Sequence, residues 1–265
     1  MHVMATLTLQ AGDVDRDKYD RSKRFGWFDR DAVRDAAVLV VGAGALGNET
    51  CKDLILSGFR NISLVDMDHV VLSNLNRCVF FSNGDAEQRR YKANVIAEKA
   101  ARLDPDVQVE PYVQKIQELP DDFIARHDVV LGCLDNIETR LHLNAHAYYR
   151  GIPYIDGGTR GLVGKVQVVV PPDTSCLECG MNVTHHRVKD VRYSCTGDDV
   201  TVFEPKMASD VNTTSIISAV QVQETLKLVN GRRERLIENL FYYDANRNVA
   251  DVMEVPLDPG CPHHQ

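Results

Sequence analysis

Three glycines, Gly42, Gly44 and Gly47, stand in the pattern G-x-G-x-x-G between an apolar run, Ala37 to Val41, and a stretch that reads as a helix. At a strand–turn–helix junction such glycines permit a tight turn and let backbone N–H groups approach a phosphate or ribose closely. Asp66 closes the next apolar run about 20 residues on, where a carboxylate can accept hydrogen bonds from ribose hydroxyls. These residues alone say only that a nucleotide is bound in a Rossmann-like turn. The segment DMDHVVLSNLNRC then gathers Asp66, Asp68, Asn74 and Arg77, and Lys92 follows in YKANV. Taken singly, Arg77 and Lys92 read as solvated surface charges. Taken together, they suit a triphosphate, whose departing pyrophosphate needs cations, better than a dinucleotide. No G-x-x-x-x-G-K-[ST] sequence is present, so a P-loop is excluded.

A second set of residues could hold a metal. Cys176 and Cys179 are spaced C-x-x-C in SCLECG, and Cys261 with His264, or with His263, offers another pair at the end of the chain. Tetrahedral Zn²⁺ takes four sulfur and nitrogen ligands of this kind, and such a site would tie a long loop to the C-terminal segment. A redox pair, or unrelated thiols beside a histidine-rich tail, are the competing readings. Cys51, Cys78 and Cys133 fall in helix or strand patterns, where small buried thiols are common.

The elements that must position these residues follow from periodicity. Continuous apolar runs at Ala37–Val41 and Ile62–Asp66, and strands near Val107–Val113, Asp128–Cys133 and Ile152–Asp156, alternate with helical stretches. The helices are expected over about 48–57, 85–103 and 137–150. This alternation predicts a parallel sheet with right-handed crossovers. Beyond it, GKVQVVVPP reads as a more antiparallel strand, residues 173–210 as a long irregular crossover loop, and 212–230 as a helix with Asn/Thr capping chemistry. LFYYDANRNVADVMEV reads as a terminal hairpin. The expected fold class is α/β and Rossmann-like: a mostly parallel sheet continued by antiparallel strands, with helices on both faces.

Composition bounds the function. The 265 residues are 44% hydrophobic and 26% charged, an ordinary globular profile. The net charge of -8 disfavours nucleic acid as a partner, because phosphates want a basic face. No apolar run reaches the roughly 18–20 residues of a membrane span, and no signal peptide is evident. Seven cysteines, an odd number without a secretory signal, argue against a disulfide framework and for a reducing cytoplasm.

Several ordered motifs together resemble the ubiquitin-activating-enzyme superfamily, which includes the adenylyltransferases of molybdopterin and thiamine biosynthesis. They are YDRSKR (Tyr19 to Arg24), GAGALG, DMDHVVLSNLNR, YKAN, CLDN (Cys133 to Asn136), DGGT (Asp156 to Thr159) and the CLEC pair. The resemblance implies a flexible tail over residues 1–18 and one adenylation domain over 19–265. Residues 19–160 would form its nucleotide-binding half, and 161–265 the half with the crossover loop, zinc site and hairpin. It implies ATP, Mg²⁺ and Zn²⁺ as cofactors. Asp66 would hold the ribose, with Asp68 beside it, while Asn74, Arg77 and Lys92 would contact the triphosphate. Asp135 would bind Mg²⁺, and Arg21 would reach across a homodimer interface to the partner's phosphates.

The implied reaction is adenylation of the C-terminal carboxylate of a ubiquitin-like or sulfur-carrier protein ending in Gly-Gly. Cys195, in RYSCTGDD, would then take the acyl group as a thioester or a persulfide-type link, thiolate chemistry that a flexible loop can deliver, the competing reading being an ordinary loop cysteine. Nearby Lys189 and Arg192 would lower its pKa, and Asp198 and Asp199 would raise it. Ser22 and Cys78 stand where the family usually has Gln after each arginine. A conjugating enzyme is a further partner in that family. The stretch from Cys195 to Asn212 is, however, too short for the large catalytic-cysteine domain of eukaryotic activators, and no ubiquitin-fold domain precedes Gln265. A tRNA-modifying adenylation enzyme of the same superfamily and an NAD-dependent oxidoreductase are the alternatives. The first sits poorly with the acidic balance; the second leaves Arg77, Lys92, Arg21 and the cysteine pairs unused.

Overall fold

The computed structural model describes residues 18–120, 122–180 and 208–264. In chain order the elements are α1 (Asp20–Lys23), α2 (Arg30–Asp35), β1 (Ala37–Val41), α3 (Ala45–Ser57), β2 (Asn61–Val65), α4 (Asn83–Glu87), α5 (Lys92–Ala100) and β3 (Gln108–Tyr112). There follow β4 (Val129–Gly132), α6 (Ile137–Arg150), β5 (Tyr154–Arg160), β6 (Val163–Val169), α7 (Val211–Val229), β7 (Leu240–Asp244) and β8 (Val249–Met253). One eight-stranded sheet runs in the order β3-β2-β1-β4-β5-β6-β7-β8. Strands β3 to β5 are parallel, and β5 to β8 antiparallel.

The apolar run of β1 explains its central place. Val38 and Val40 point to one face of the sheet and Leu39 and Val41 to the other, so both faces are buried. Successive side chains of a strand alternate, and a strand apolar throughout can only sit between two layers. On the first face Leu54 and Ile55 of α3, Val95 and Ile96 of α5, and Ile217 and Val222 of α7 complete the core. On the second face α6 contributes Leu141, Leu143 and Ala147. No helix among the described residues is long and apolar enough to cross a membrane.

Two expected elements differ. The helix expected over 85–103 is two helices, because the chain turns left-handed at Arg89 (φ 48°). Asp85 causes the break: its carboxylate accepts from the Ser82 N–H at 2.8 Å and from Arg90 Nη1 at 3.0 Å, and it pairs with Lys99. Tyr91 then bridges to His69, their rings 4.1 Å apart, and Lys92 becomes the first residue of α5. Helix α7 starts at Val211, capped by Asp210, whose Oδ2 accepts the Thr213 N–H at 2.8 Å, and not by the Asn/Thr chemistry of its first turn. The expected N-terminal tail, save its last residue, and Cys195 lie outside the described residues.

Candidate active site and metal centre

The chain runs from β1 outward through β2 to β3, then returns to β4 on the other side of β1. Ligands of such sheets bind where the strand order reverses, outside the carboxyl ends of the strands. Gly42 occupies that point at the end of β1. Its φ is +99°, and a Cβ there would run into the Cys133 carbonyl oxygen. A Cβ on Gly47 would strike the carbonyl of Gly42, so α3 can approach the loop this closely only without a side chain. At Gly44 a Cβ would meet nothing within 4 Å, which leaves that side of the loop open. Fully buried Asn48 pins the loop, donating to the Ala43 carbonyl at 3.1 Å and accepting from the Phe80 N–H at 3.0 Å.

Asp66, just past β2, accepts the N–H of Ala43 at 2.6 Å and of Asp68 at 2.8 Å. Burial pushes its carboxyl above the ordinary range, against the pull of the Lys92 ammonium and those two N–H groups. Lys92 is 9% exposed, and its Nζ lies 2.7 Å from Asp68 Oδ2. Buried Asn74 accepts the Val71 N–H at 3.0 Å. Arg77 bonds to the Ser73 carbonyl and to Asn76 Oδ1 at 2.9 Å. The Cys78 thiol reports on the group: burial pushes it up to about 11, Arg77 and Lys92 pull it down, and Glu49 and Asp66 push it up. Asp66 and Lys92 thus meet through Asp68 beside the glycine loop, and Arg77 lies in the segment that follows.

Asp135 is exposed on the loop between β4 and α6, across β1 from Asp66. Its carboxylate accepts no hydrogen bond among the described residues, a free oxygen donor of the kind Mg²⁺ favours. Arg21 is elsewhere. Tyr19 packs its ring against Gly58, just past the C-terminal end of α3, and donates to Asp104 Oδ2 at 2.9 Å. A helix of 13 residues spans about 20 Å, so α1 sits at the end of α3 away from the glycine loop. The structure does not bring Arg21 to its own chain's loop.

The cysteine pairs do meet. The ligand atoms of Cys176, Cys179, Cys261 and His264 all lie within 4.8 Å of one another. Sulfur separations are 3.9 Å for Cys176–Cys179 and 3.6 Å for Cys176–Cys261. A tetrahedral ion with Zn–S bonds of about 2.3 Å places its sulfurs about 3.8 Å apart, so the set fits zinc. Tyr148 donates its hydroxyl to the Pro172 carbonyl at 3.2 Å and lies 2.7 Å from His264 Nδ1. With Nδ1–H donating to that oxygen, the Nε2 lone pair faces the thiols. His263, the alternative, turns toward Glu178, 3.6 Å away, and is not part of the cluster. Burial pushes the Cys176 thiol up and the Cys261 thiol up to about 12. A divalent ion binding there must displace those protons.

Two further features join residues on separate elements. Asp156, with no exposure, accepts from Arg140 Nε at 2.9 Å and, through its other oxygen, from Arg140 Nη2; the Tyr154 hydroxyl donates to it at 2.8 Å. The pair ties α6, and with it the Asp135 turn, to β5. Gln221 of α7 donates to the carbonyls of Gly132 at 3.0 Å and Ile155 at 2.9 Å, fixing the ends of β4 and β5.

The topology and the glycine loop at its switch point define a Rossmann-type α/β protein. Comparison with known proteins narrows the class: the ThiF family matches residues 19–263, and the chain belongs to that family. The NEDD8-activating enzyme E1 catalytic subunit of Schizosaccharomyces pombe is 37% identical over 151 residues, covering 55% of this chain and 34% of that protein. The Arabidopsis thaliana protein of the same name is 29% identical over 305 aligned positions, 88% of this chain and 66% of its own length. SUMO-activating enzyme subunit 2 of Dictyostelium discoideum is 34% identical over 151 residues, 56% of this chain and 22% of that protein. The chain thus spans between 22% and 66% of these relatives. Among solved structures, E. coli MccB with MccA superposes with a TM-score of 0.76 at 18% identity, over 95% of this chain and 75% of that one. E. coli MccB with ATP gives 0.75 at 18% identity, over 96% and 76%. At that identity the likeness is one of fold.

Proposed function

We propose that this chain uses ATP to adenylate the C-terminal carboxylate of a ubiquitin-like or sulfur-carrier protein. The observation that carries the reading is that Asp66 bonds the Ala43 N–H and Lys92 meets Asp68 beside a glycine loop open at Gly44, with Arg77 in the same segment. Membership of the ThiF family, relatives named as NEDD8- and SUMO-activating enzymes, and a fold neighbour solved with ATP all support it.

The substrate carboxylate attacks the α-phosphorus, the bond to the bridging oxygen breaks, and pyrophosphate leaves. A carboxylate is ionised at neutral pH, so no general base is needed. Catalysis rests on positioning and on charge neutralisation. Asp66 accepts the ribose hydroxyls. Arg77 and Lys92 exchange their present partners, the Ser73 carbonyl and Asp68, for phosphate oxygens, and Asn74 holds the segment that carries Arg77. Asp135 would hold Mg²⁺, and the ion would supply neutralising charge for the leaving pyrophosphate. Arg21, remote from its own loop, serves the pocket of a second copy in a homodimer, where its permanent charge and forked donors suit phosphate. Cys176, Cys179, Cys261 and His264 would hold a structural Zn²⁺. In a subsequent step the Cys195 thiolate attacks the acyl carbonyl, forming a thioester and releasing AMP. A conjugating enzyme is the downstream partner if that thioester is passed on. The odd number of cysteines, four of them assigned to metal and acyl chemistry, suits a reducing cytoplasm.

The test is ATP–pyrophosphate exchange in the presence of a Gly-Gly-ending carrier protein encoded by the same genome. Lys92→Ala and Asp135→Ala are expected to lower exchange by about 100-fold or more while circular dichroism stays unchanged. Near-normal exchange in either variant removes the assignment.

A further inference from the structure

Lys165 of β6 pairs with Gly158 of β5 on one side and Tyr242 of β7 on the other. Directly paired residues of an antiparallel ladder share a face of the sheet. Gly158 offers no side chain there, and a Cβ at that position would lie 2.8 Å from Nη2 of Arg140. Lys165 therefore emerges beside the Arg140 guanidinium, across a gap that only glycine leaves. It is exposed, yet it makes no hydrogen bond and no ion pair among the described residues. Asp156, the carboxylate whose charge it feels, is already occupied by Arg140 and the Tyr154 hydroxyl. Loss of surrounding water and the like charge of Arg140 hold its ammonium below the usual lysine range. An accessible ammonium beside a guanidinium already neutralised by Asp156, and without an ion-pair partner among the described residues, offers a docking point for an incoming anion.

Its place says which anion. Gly132 at the end of β4 pairs with Asp156, so Gly158 and Lys165 lie two residues further along, about 7 Å past that end and level with the Asp135 turn. Strand β6 is two strand spacings, about 10 Å, from β4. We infer that Lys165 binds a carboxylate of the substrate's extended C-terminal tail and holds that tail on the β5–β6 floor, next to the loop of Asp135. The inference takes the identity of the substrate, and nothing else, from the adenylation reading.

Short fluorescent peptides ending in Gly-Gly, mixed with the full chain and followed by anisotropy, test it. One carries a free terminal carboxylate, one is amidated, and one is amidated with a glutamate upstream. Wild type is expected to bind a carboxylate-bearing peptide about tenfold more tightly than the neutral one. Preference for the free terminus or for the glutamate identifies which carboxylate is held. Lys165→Met should abolish the preference and Lys165→Arg should keep it, with the thermal shift given by MgATP the same in all three proteins. Equal binding of all peptides by wild type, or an undiminished preference in Lys165→Met, overturns the assignment. Absence of any MgATP shift in wild type would instead count against adenylation and leave the carboxylate site standing.

Discussion

Asp156 shows what a single residue commits this fold to. Its carboxylate is out of water and depends on Arg140 and Tyr154 for every partner described. Asp156→Ala strands a buried guanidinium charge and a buried hydroxyl, and should cost about 3–5 kcal/mol in urea unfolding. A loss below about 1 kcal/mol would mean that water replaces the carboxylate freely. The sequence marks Asp156 through DGGT, but its partner stands 16 residues earlier on another element, so no local pattern announces the pair. Asp66 and Lys92 are the opposite case. The sequence marks their positions, at the end of the second strand and in YKAN, and the structure joins them through Asp68, whose N–H Asp66 accepts and whose carboxylate Lys92 meets. The unpaired state of Lys165 was not legible at all, since it depends on Arg140 having already taken Asp156.

Among the elements, α6 was readable to its ends. Asn136 accepts the Thr139 N–H at 2.9 Å to start the helix, and Gly151 ends it. The break between α4 and α5 was not, because neither Gly nor Pro marks it; the cause is a set of side-chain bonds to Asp85 from residues as far as Lys99. That break sets Lys92 at a helix start facing Asp68. The join of β1 to α3 is the tightest in the fold. In Gly47→Ala the new methyl group would displace the Gly42 carbonyl, and with it the open edge at Gly44. The expected result is a fall of at least tenfold in MgATP affinity by calorimetry, on the scale of one lost charge-assisted hydrogen bond. Unaltered affinity would show that the loop yields at no cost to the pocket.

At the scale of the molecule, the four-residue cluster clamps the turn after β6 to the segment after β8, across 85 residues of chain between Cys176 and Cys261. Elemental analysis of protein purified without chelator should find one zinc per chain. Stripping it with a strong chelator, or Cys261→Ser, should lower the thermal midpoint by several degrees, since metal affinity becomes folding free energy. Metal-free protein melting at the same temperature would rule out a structural ion. The change of strand direction at β5 has its own consequence. Parallel strands deliver the loops that follow them to one lip of the sheet, and the glycine turn, the Asp66 segment and the Asp135 turn all lie there. The antiparallel strands leave a flat apron beside that lip, joined to it by backbone but sharing none of its turns. A substitution on the apron, at Lys165 for example, can therefore change what the chain grips without altering the turns at the lip.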